Sequence, residues 1–262
     1  SLTAAMPLYQ RFGDYAVDVV RDNPYLLADR SLEIPFTQVD ALAIELGVAG
    51  DDPQRVEAAL TFELDHNADN GHVFLPEQKL LNATAALIGV EGDCLTAGLD
   101  ALIERGEVVR EDIAGVTACY PAGLYAAESY VAMRLGEMCG AEIAPPKGLG
   151  KLIDKIQKEQ GLTYAGQQRR AVELAASRQV MLLTGGPGTG KTTSLRGVLA
   201  LFDTLGLETA LAAPTGRAAK RMGETCGTEA ATIHRLLETK LDPYTGQLAF
   251  TKNQDDPLEV DA

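Results

Sequence analysis

The stretch 180–193, VMLLTGGPGTGKTT, limits what this chain can fold into more than any other. Val180, Met181, Leu182 and Leu183 are too few for a helix and lead directly into a glycine cluster followed by Lys191, Thr192 and Thr193. That order predicts a buried strand, a tight loop and the start of a helix. Gly185, four further residues, Gly190, Lys191 and Thr192 meet the spacing of a phosphate-binding loop. Glycines let successive backbone N–H groups turn inward on a polyphosphate, and a helix beginning at Lys191 adds the positive end of its dipole. In such a loop Lys191 neutralises the outer phosphate oxygens and the Thr192 hydroxyl is a ligand for the bridging Mg2+.

The chain has 262 residues, room for two domains with their own cores. No stretch approaches the roughly 20 apolar residues that span a bilayer, so no membrane partner is expected. The opening residues SLTAAMPLYQRFGDYA lack a basic segment followed by an apolar one, and a cytoplasmic protein is expected. Cys94, Cys119, Cys139 and Cys226 are far apart with no CxxC pair, which predicts buried free thiols in a reducing compartment. His66 and His72 flank a polar turn with no cysteine nearby, and turn or capping roles are expected of them rather than metal ligation.

Charge divides the chain. Residues 1–146 hold 8 Lys+Arg against 24 Asp+Glu, a balance of −16, whereas residues 147–262 hold 15 against 13, a balance of +2. Binding to a phosphate backbone is largely cationic, so the first part lacks a nucleic-acid footprint and could face a protein partner.

Helical signals fill that first part. Tyr9 to Asp29 reads as helix ending in DNPYLLAD, with a break where Asn23 precedes Pro24, and then comes one with Val39, Leu42, Ala43 and Leu46 closed by Gly47. Another starts at Asp51, Asp52 and Pro53 and carries Val56, Ala59, Leu60 and Leu64 on one face. Asn70, Gly71 and His72 mark a turn, Val73 to Leu75 a short extended piece, and Glu77 to Leu87 a helix. From Thr96 a helix ends at Gly106 and passes into Val108 and Val109, the pattern of the last helix and wing of a winged-helix unit. An amphipathic helix is expected from Tyr120 to Cys139, and APPKGLGK, 144–151, is the best linker, giving domains 1–146 and 147–262.

Beyond a helix at Leu152 to Gln160, helix Thr192 to Leu205, strand Glu208 to Ala213 and a helix to about Cys226 alternate. Parallel strands with right-handed crossovers follow, with ligands at the carboxyl ends of the strands. The phosphate loop and the turn Pro214 to Arg217 should therefore share a rim. The expected fold is α/β: an all-α N-terminal region with helix-hairpin-helix and winged-helix-like units, then part of a RecA-like P-loop domain with a parallel sheet.

Gln168 and Ala171, GGPGTGKTT at 185–193, APTGRAAKRM at 213–222 and ATIHRLL at 231–237 resemble the ATPase core of the RecD-like superfamily 1 DNA helicases. DNPYLLA at 22–28 and GHVFLP at 71–76 resemble the long-form members with an added helical region. The chain departs at SLEIPFT, 31–37, where the family has a glycine-containing hairpin. The resemblance implies ATP and Mg2+ as cofactors, with Gln168 on the adenine edge and Gly186, Pro187, Gly188, Thr189, Gly190, Lys191, Thr192 and Thr193 around the phosphates. Lys191 and Thr192 would be the catalytic residues, Thr192 also the metal ligand. Pro214, Thr215, Gly216 and Arg217 would contact single-stranded DNA, with His234 and Arg235 close to it. Arg217, Lys220 and Arg221 follow that turn as a basic cluster. The implied activity is ATP-driven 5′ to 3′ translocation on single-stranded DNA and unwinding of duplex junctions.

Hydrolysis also needs an acidic pair and an arginine. In the family the Asp-Glu pair follows on the next strand, and PLEVDA, 257–262, stands where that strand would begin; Asp255 and Asp256 before Pro257 are poor substitutes. The chain is thus expected to be an N-terminal portion that binds nucleotide without turning it over. Two other readings are a different P-loop NTPase, such as a clamp-loader-type ATPase or a nucleotide kinase, and a non-catalytic protein-interaction module. PTGRAAKRM and TIHRLL speak against a kinase, where neither has a task.

Overall fold

The computed structural model describes residues 8, 9, 12–32, 34–141, 143–241 and 248–262. Gln10 and Arg11 of the first expected helix and Glu33 of SLEIPFT lie outside them. Contacts divide the chain into two compact units, Ser1–Ala132 and Met133–Ala262.

The first unit opens with helix α1 (Ala16–Asp22), ended as expected at Asn23, whose extended backbone leads into Pro24. The Asn23 side chain accepts from the Tyr25 amide at 3.0 Å and starts a short 3-10 turn, Pro24–Ala28. Helices α2 (Phe36–Glu45) and α3 (Pro53–Asp69) follow, the latter capped by the Asp52 carboxylate on the Gln54 amide. Val56, Ala59, Leu60 and Leu64 of α3 are buried together, as their spacing requires. On α2 the outcome is split: Val39 and Ala43 are buried, whereas Leu42 and Leu46 are exposed. A buried ion pair joins the two helices. Arg55 on α3 donates to both oxygens of Asp40 at 2.8 and 2.9 Å and to the Gly50 carbonyl at 2.7 Å, and the Tyr25 hydroxyl donates to Asp40 at 2.7 Å.

Strand β1 (Leu75–Pro76), helices α4 (Glu77–Ile88) and α5 (Asp93–Glu104), and strands β2 (Val108–Ile113) and β3 (Val116–Pro121) complete the unit. The three strands form an antiparallel sheet in the order β1-β3-β2. Helix, strand, two helices and a hairpin in this order make a winged-helix unit, so the wing expected from Val108 is present. Gly98 lets α5 close on α3, since a Cβ there would stand 2.6 Å from Val56 Cγ1. The expected helix from Tyr120 starts two residues late because Tyr120 pairs with Val109 in the ladder. Helix α6 (Ala122–Gly140) has no buried residue: of its apolar face Leu124 and Met138 are half-buried, while Val131 and Leu135 are exposed.

The second unit is built on helices α7 (Leu149–Gln160), α8 (Gly166–Ala175) and α9 (Lys191–Leu205), whose Ile153, Ile156, Val172 and Leu201 share one core. Strand β4 (Leu211–Ala213) passes into α10 (Gly216–Cys226), and β5 (Ala230–Thr232) pairs with β4 in parallel. Short helix α11 (Ile233–Leu236) and the antiparallel pair β6 (Thr239–Leu241) and β7 (Leu248–Phe250) follow. The expected strand from Glu208 is shorter in the ladder, yet Glu208 and Ala210 bond in parallel fashion to Asp261 and Ala262.

Two sequence expectations fail here. Val180–Leu183 form no strand, and Leu182 is 88% exposed. A strand exists only beside a hydrogen-bonded neighbour, and the described residues offer this run none. Of the four cysteines only Cys119 is buried, and burial pushes its thiol up to about 11; Cys139 is exposed. A cysteine's position on its element decides its burial, and Cys139 lies on the exposed helix α6.

Candidate nucleotide and nucleic-acid sites

The phosphate loop ends where α9 begins. Gly190 is the residue before the helix and has φ of 83°, a left-handed conformation that only glycine adopts without strain. A Cβ at Gly190 would also stand 2.1 Å from the Gln168 side-chain nitrogen, so the Gln168 amide lies directly against the loop. Gln168 is held there by its own helix: its Oε1 accepts from the Ala165 amide at 2.9 Å, covering one of the free N–H groups at the start of α8. That bond leaves the amide nitrogen as the end facing the loop.

Lys191 is the first residue of α9, and its ammonium folds back into the loop, donating to the carbonyls of Gly185 and of Gly186, the latter at 2.6 Å. Thr189 donates to the Gly186 carbonyl at 2.9 Å and closes the turn. Thr192 and Thr193 follow in the first helical turn, Thr192 exposed, and Ser194 is buried beneath them with its hydroxyl on the Gly190 carbonyl at 3.3 Å. The donor chemistry suits a magnesium-bound polyphosphate: an ammonium inside the glycine loop, an exposed threonine hydroxyl and the N–H groups of a helix start adjoin one another in the chain. Gly186, Pro187, Gly188 and Thr189 are all exposed around it.

The second set of residues gathers at the carboxyl ends of β4 and β5. Ala213 is in register with Thr232, so Pro214 and Thr215 emerge beside Ile233 and His234. Each strand ends in the same device. Thr215 accepts from the Ala218 amide at 3.3 Å and caps α10, and Thr232 accepts from the Arg235 amide at 3.2 Å and caps α11. Pro214, Thr215, Gly216, Arg217, His234 and Arg235 are all exposed there. The His234 ring faces Phe250 at 5.7 Å between centroids, a contact to β7 that spacing gave no hint of. Lys220 reaches Glu224 at 4.0 Å, while Arg217, Arg221 and Arg235 make no ion pair among the described residues.

Structure thus assembles Gln168 with the phosphate loop, and Pro214–Arg217 with His234. The shared rim expected for both groups rested on Val180–Leu183 lying in the sheet, which they do not. Of the acidic residues near the end, Asp256 is tied to Lys252 at 3.1 Å, and the Asp261 carboxylate accepts from the Glu208 amide at 2.9 Å. Neither approaches the loop through any contact of the described residues. In the first unit, α5 stands where a winged-helix unit carries the helix that enters a DNA groove. Its sequence, DCLTAGLDALIE, has three carboxylates and no cation to meet a phosphate.

Comparison with known proteins covers both ends of the chain. Residues 168–262 match the model of an AAA domain, and residues 1–74 that of the ATP-dependent RecD2 DNA helicase HHH domain. The chain is 29% identical over 247 residues to the ATP-dependent RecD2 DNA helicase of Deinococcus radiodurans, covering 90% of this chain and 34% of that protein. It is 43% identical over 97 residues to the RecBCD enzyme subunit RecD of Mycobacterium tuberculosis, covering 28% of this chain and 17% of that protein. The corresponding subunit of Mycolicibacterium smegmatis is 38% identical over 99 residues, 29% of this chain and 18% of its own length. The chain therefore spans about a third of the first relative and less than a fifth of the others. The first 74 residues matching the HHH model, a phosphate loop inside the AAA match, and a relative aligned across nearly all of this chain together make it similar to the corresponding part of RecD-like proteins.

Proposed function

We propose that the second unit binds Mg2+-ATP at Gly186–Thr193 and single-stranded DNA at Pro214–Arg217 with His234, as part of an ATP-driven helicase that moves 5′ to 3′. The observation that carries this reading is the start of α9: left-handed Gly190 places Lys191 at the first helical position while the Gln168 amide abuts the same glycine. Lys191 supplies the charge that offsets the outer phosphates, Thr192 the hydroxyl for the metal, and Gln168 an amide able to address the adenine edge. The Lys191 ammonium donates to the Gly185 and Gly186 carbonyls, which places it inside the loop where the phosphates are proposed to lie. Thr192 would hold Mg2+, which would supply positive charge against the phosphates there.

DNA contacts are supported by two capped helix starts on neighbouring strand ends with exposed Arg217 and Arg235, which make no ion pair among the described residues, a geometry that meets backbone phosphates without reading bases. Duplex junctions as the track, a cytoplasmic location, a protein partner for the acidic residues 1–146 and a domain boundary near Pro146 belong to the same proposal. The similar Deinococcus radiodurans protein, an ATP-dependent RecD2 DNA helicase, supports it.

The test is direct. Lys191→Ala removes a charge whose hydrogen bonds go only to loop carbonyls, so the melting temperature stays put while ATP affinity drops roughly 30-fold or more, read with a fluorescent nucleotide. Unchanged affinity means that the phosphates sit elsewhere. Affinity for an oligothymidylate that ignores added nucleotide would remove the link between the two sites.

A further inference from the structure

The first unit contains a groove of about 870 Å³ that the phosphate loop and the proposed DNA-contact residues do not line; the DNPYLLA stretch supplies part of its wall. It runs between the turns around 24–35, the start of α2, one face of α3 and the end of α5. Its floor is aromatic: Phe36 and Phe62 stack at 4.9 Å between centroids, and His66 continues the row at 5.8 Å. Phe62 and Ile34 keep part of their surface open to the groove. The size falls within the roughly 300–1,000 Å³ of ordinary binding clefts, enough for several side chains.

The rim is acidic. Asp29, Glu57, Asp65, Asp69 and Glu107 line it against only Arg30 and Arg105. Both guanidiniums are already engaged, Arg30 by Asp65 and Asp69, Arg105 by Glu57 at 2.8 Å and Glu107 at 2.6 Å. Burial raises the Asp65 carboxyl above its ordinary range, Arg30 opposes this, and Asp69 and Asp29 add to it. With five carboxylates against two guanidiniums, the lining as a whole stays negative.

We propose that this groove docks an extended basic segment of a partner protein, with an aliphatic or aromatic side chain on the Phe36–Phe62 floor and lysines or arginines facing Asp65 and Asp69. The occupant is argued from charge complementarity. A carboxylate rim over an apolar floor matches a segment that alternates cations with apolar anchors. A nucleic acid would have to enter a region with 8 Lys+Arg against 24 Asp+Glu, where its phosphates find no counter-charge. The proposal stands whether or not the second unit binds nucleotide.

A fluorescein-labelled peptide of about ten alternating lysines and leucines, titrated with the whole chain at about 0.15 M salt, reads the interaction by anisotropy. Asp65→Asn/Asp69→Asn should weaken it roughly tenfold, and Glu91→Gln/Glu111→Gln, the same change in charge away from the groove, less than about twofold. Thr61→Arg, at an exposed lining position, should also weaken it by placing a cation in the groove without touching the floor. Circular dichroism melting confirms that each variant folds. Equal weakening by the two double variants would mean that overall charge alone attracts the peptide, and no binding by the unaltered chain would likewise overturn the proposal. So would Thr61→Arg leaving the peptide unaffected while raising affinity for labelled oligothymidylate, which would make the groove a nucleic-acid site.

Discussion

In the first unit Leu60, Leu80, Leu99 and Leu102 are all fully buried, whereas in the second Leu182, in an equally apolar run, is 88% exposed. The difference lies in how each unit closes its core. Helices α3, α4 and α5 satisfy their own backbone groups and need only press their apolar faces together, which neighbours in sequence can do. A parallel strand needs partners supplied by distant segments. In the second unit, helices α7, α8 and α9 build a core of the first kind around Ile153, Val172 and Leu201, and among the described residues the parallel ladder is β4 with β5, flanked by the backbone bonds of Glu208 and Ala210 to Asp261 and Ala262. Charge separates the units in the same direction: the self-contained one is strongly acidic, and the one bearing the phosphate loop is nearly neutral.

Identical leucine truncations probe the contrast most sharply. Leu60→Ala should cost about 3–4 kcal/mol in urea unfolding, the penalty of a cavity in a packed core. Leu182→Ala should stay within about 0.5 kcal/mol, as for an exposed side chain. A loss above about 2 kcal/mol at Leu182 would show that the run is packed after all and erase the comparison.

The buried ion pair offers a smaller effect confined to the first unit. Hydrogen bonds from Arg55 hold the Asp40 carboxyl below its ordinary range, against the opposing effect of burial. A folded value below the unfolded one, about 3.9, means that this stabilisation is complete above about pH 4 and is lost as pH falls through the folded value. Asp40→Asn should cost about 1–2 kcal/mol at neutral pH and flatten the acid side of the stability profile. Urea midpoints between about pH 2 and 5 decide it: a profile with the same acid slope in both proteins contradicts the assignment.

The smallest effect lies in the second unit. Thr215→Ala removes the cap of α10, worth about 1 kcal/mol locally. Faster hydrogen exchange at the Ala218 amide, with little change in global melting, is the expected result. Slowed or unaltered exchange would mean that the Thr215 hydroxyl is not the cap.

Much of the first unit was legible because its signals are local. Asn23 before Pro24, Asp52 with Pro53, and the spacing Val56, Ala59, Leu60, Leu64 each act within a few residues of themselves. The hairpin after Val108 was only half legible. Its turn is Ala114 and Gly115, both at positive φ, and no Asn-Gly pair announces it. Asp112 accepting from the Gly115 amide at 3.0 Å is the signal that could have done so. Helix α6 misleads for the opposite reason: its pattern is apolar at helical spacing, yet burial requires a partner surface that periodicity does not report.

For the candidate sites, the sequence by itself determined the chemistry. A glycine-rich loop with Lys191 and Thr192 at its end, and two threonines ready to cap helices, are properties of residue types at close spacing. Only the tertiary structure decided which of these groups meet. It set Gln168 against Gly190, aligned Thr215 with His234 through the β4–β5 register, left Leu182 bare, and opened an acidic groove over Phe36 and Phe62. Each of these depends on contacts between segments far apart in the chain, whose free energy is gained only when both surfaces are present, and no local pattern encodes that.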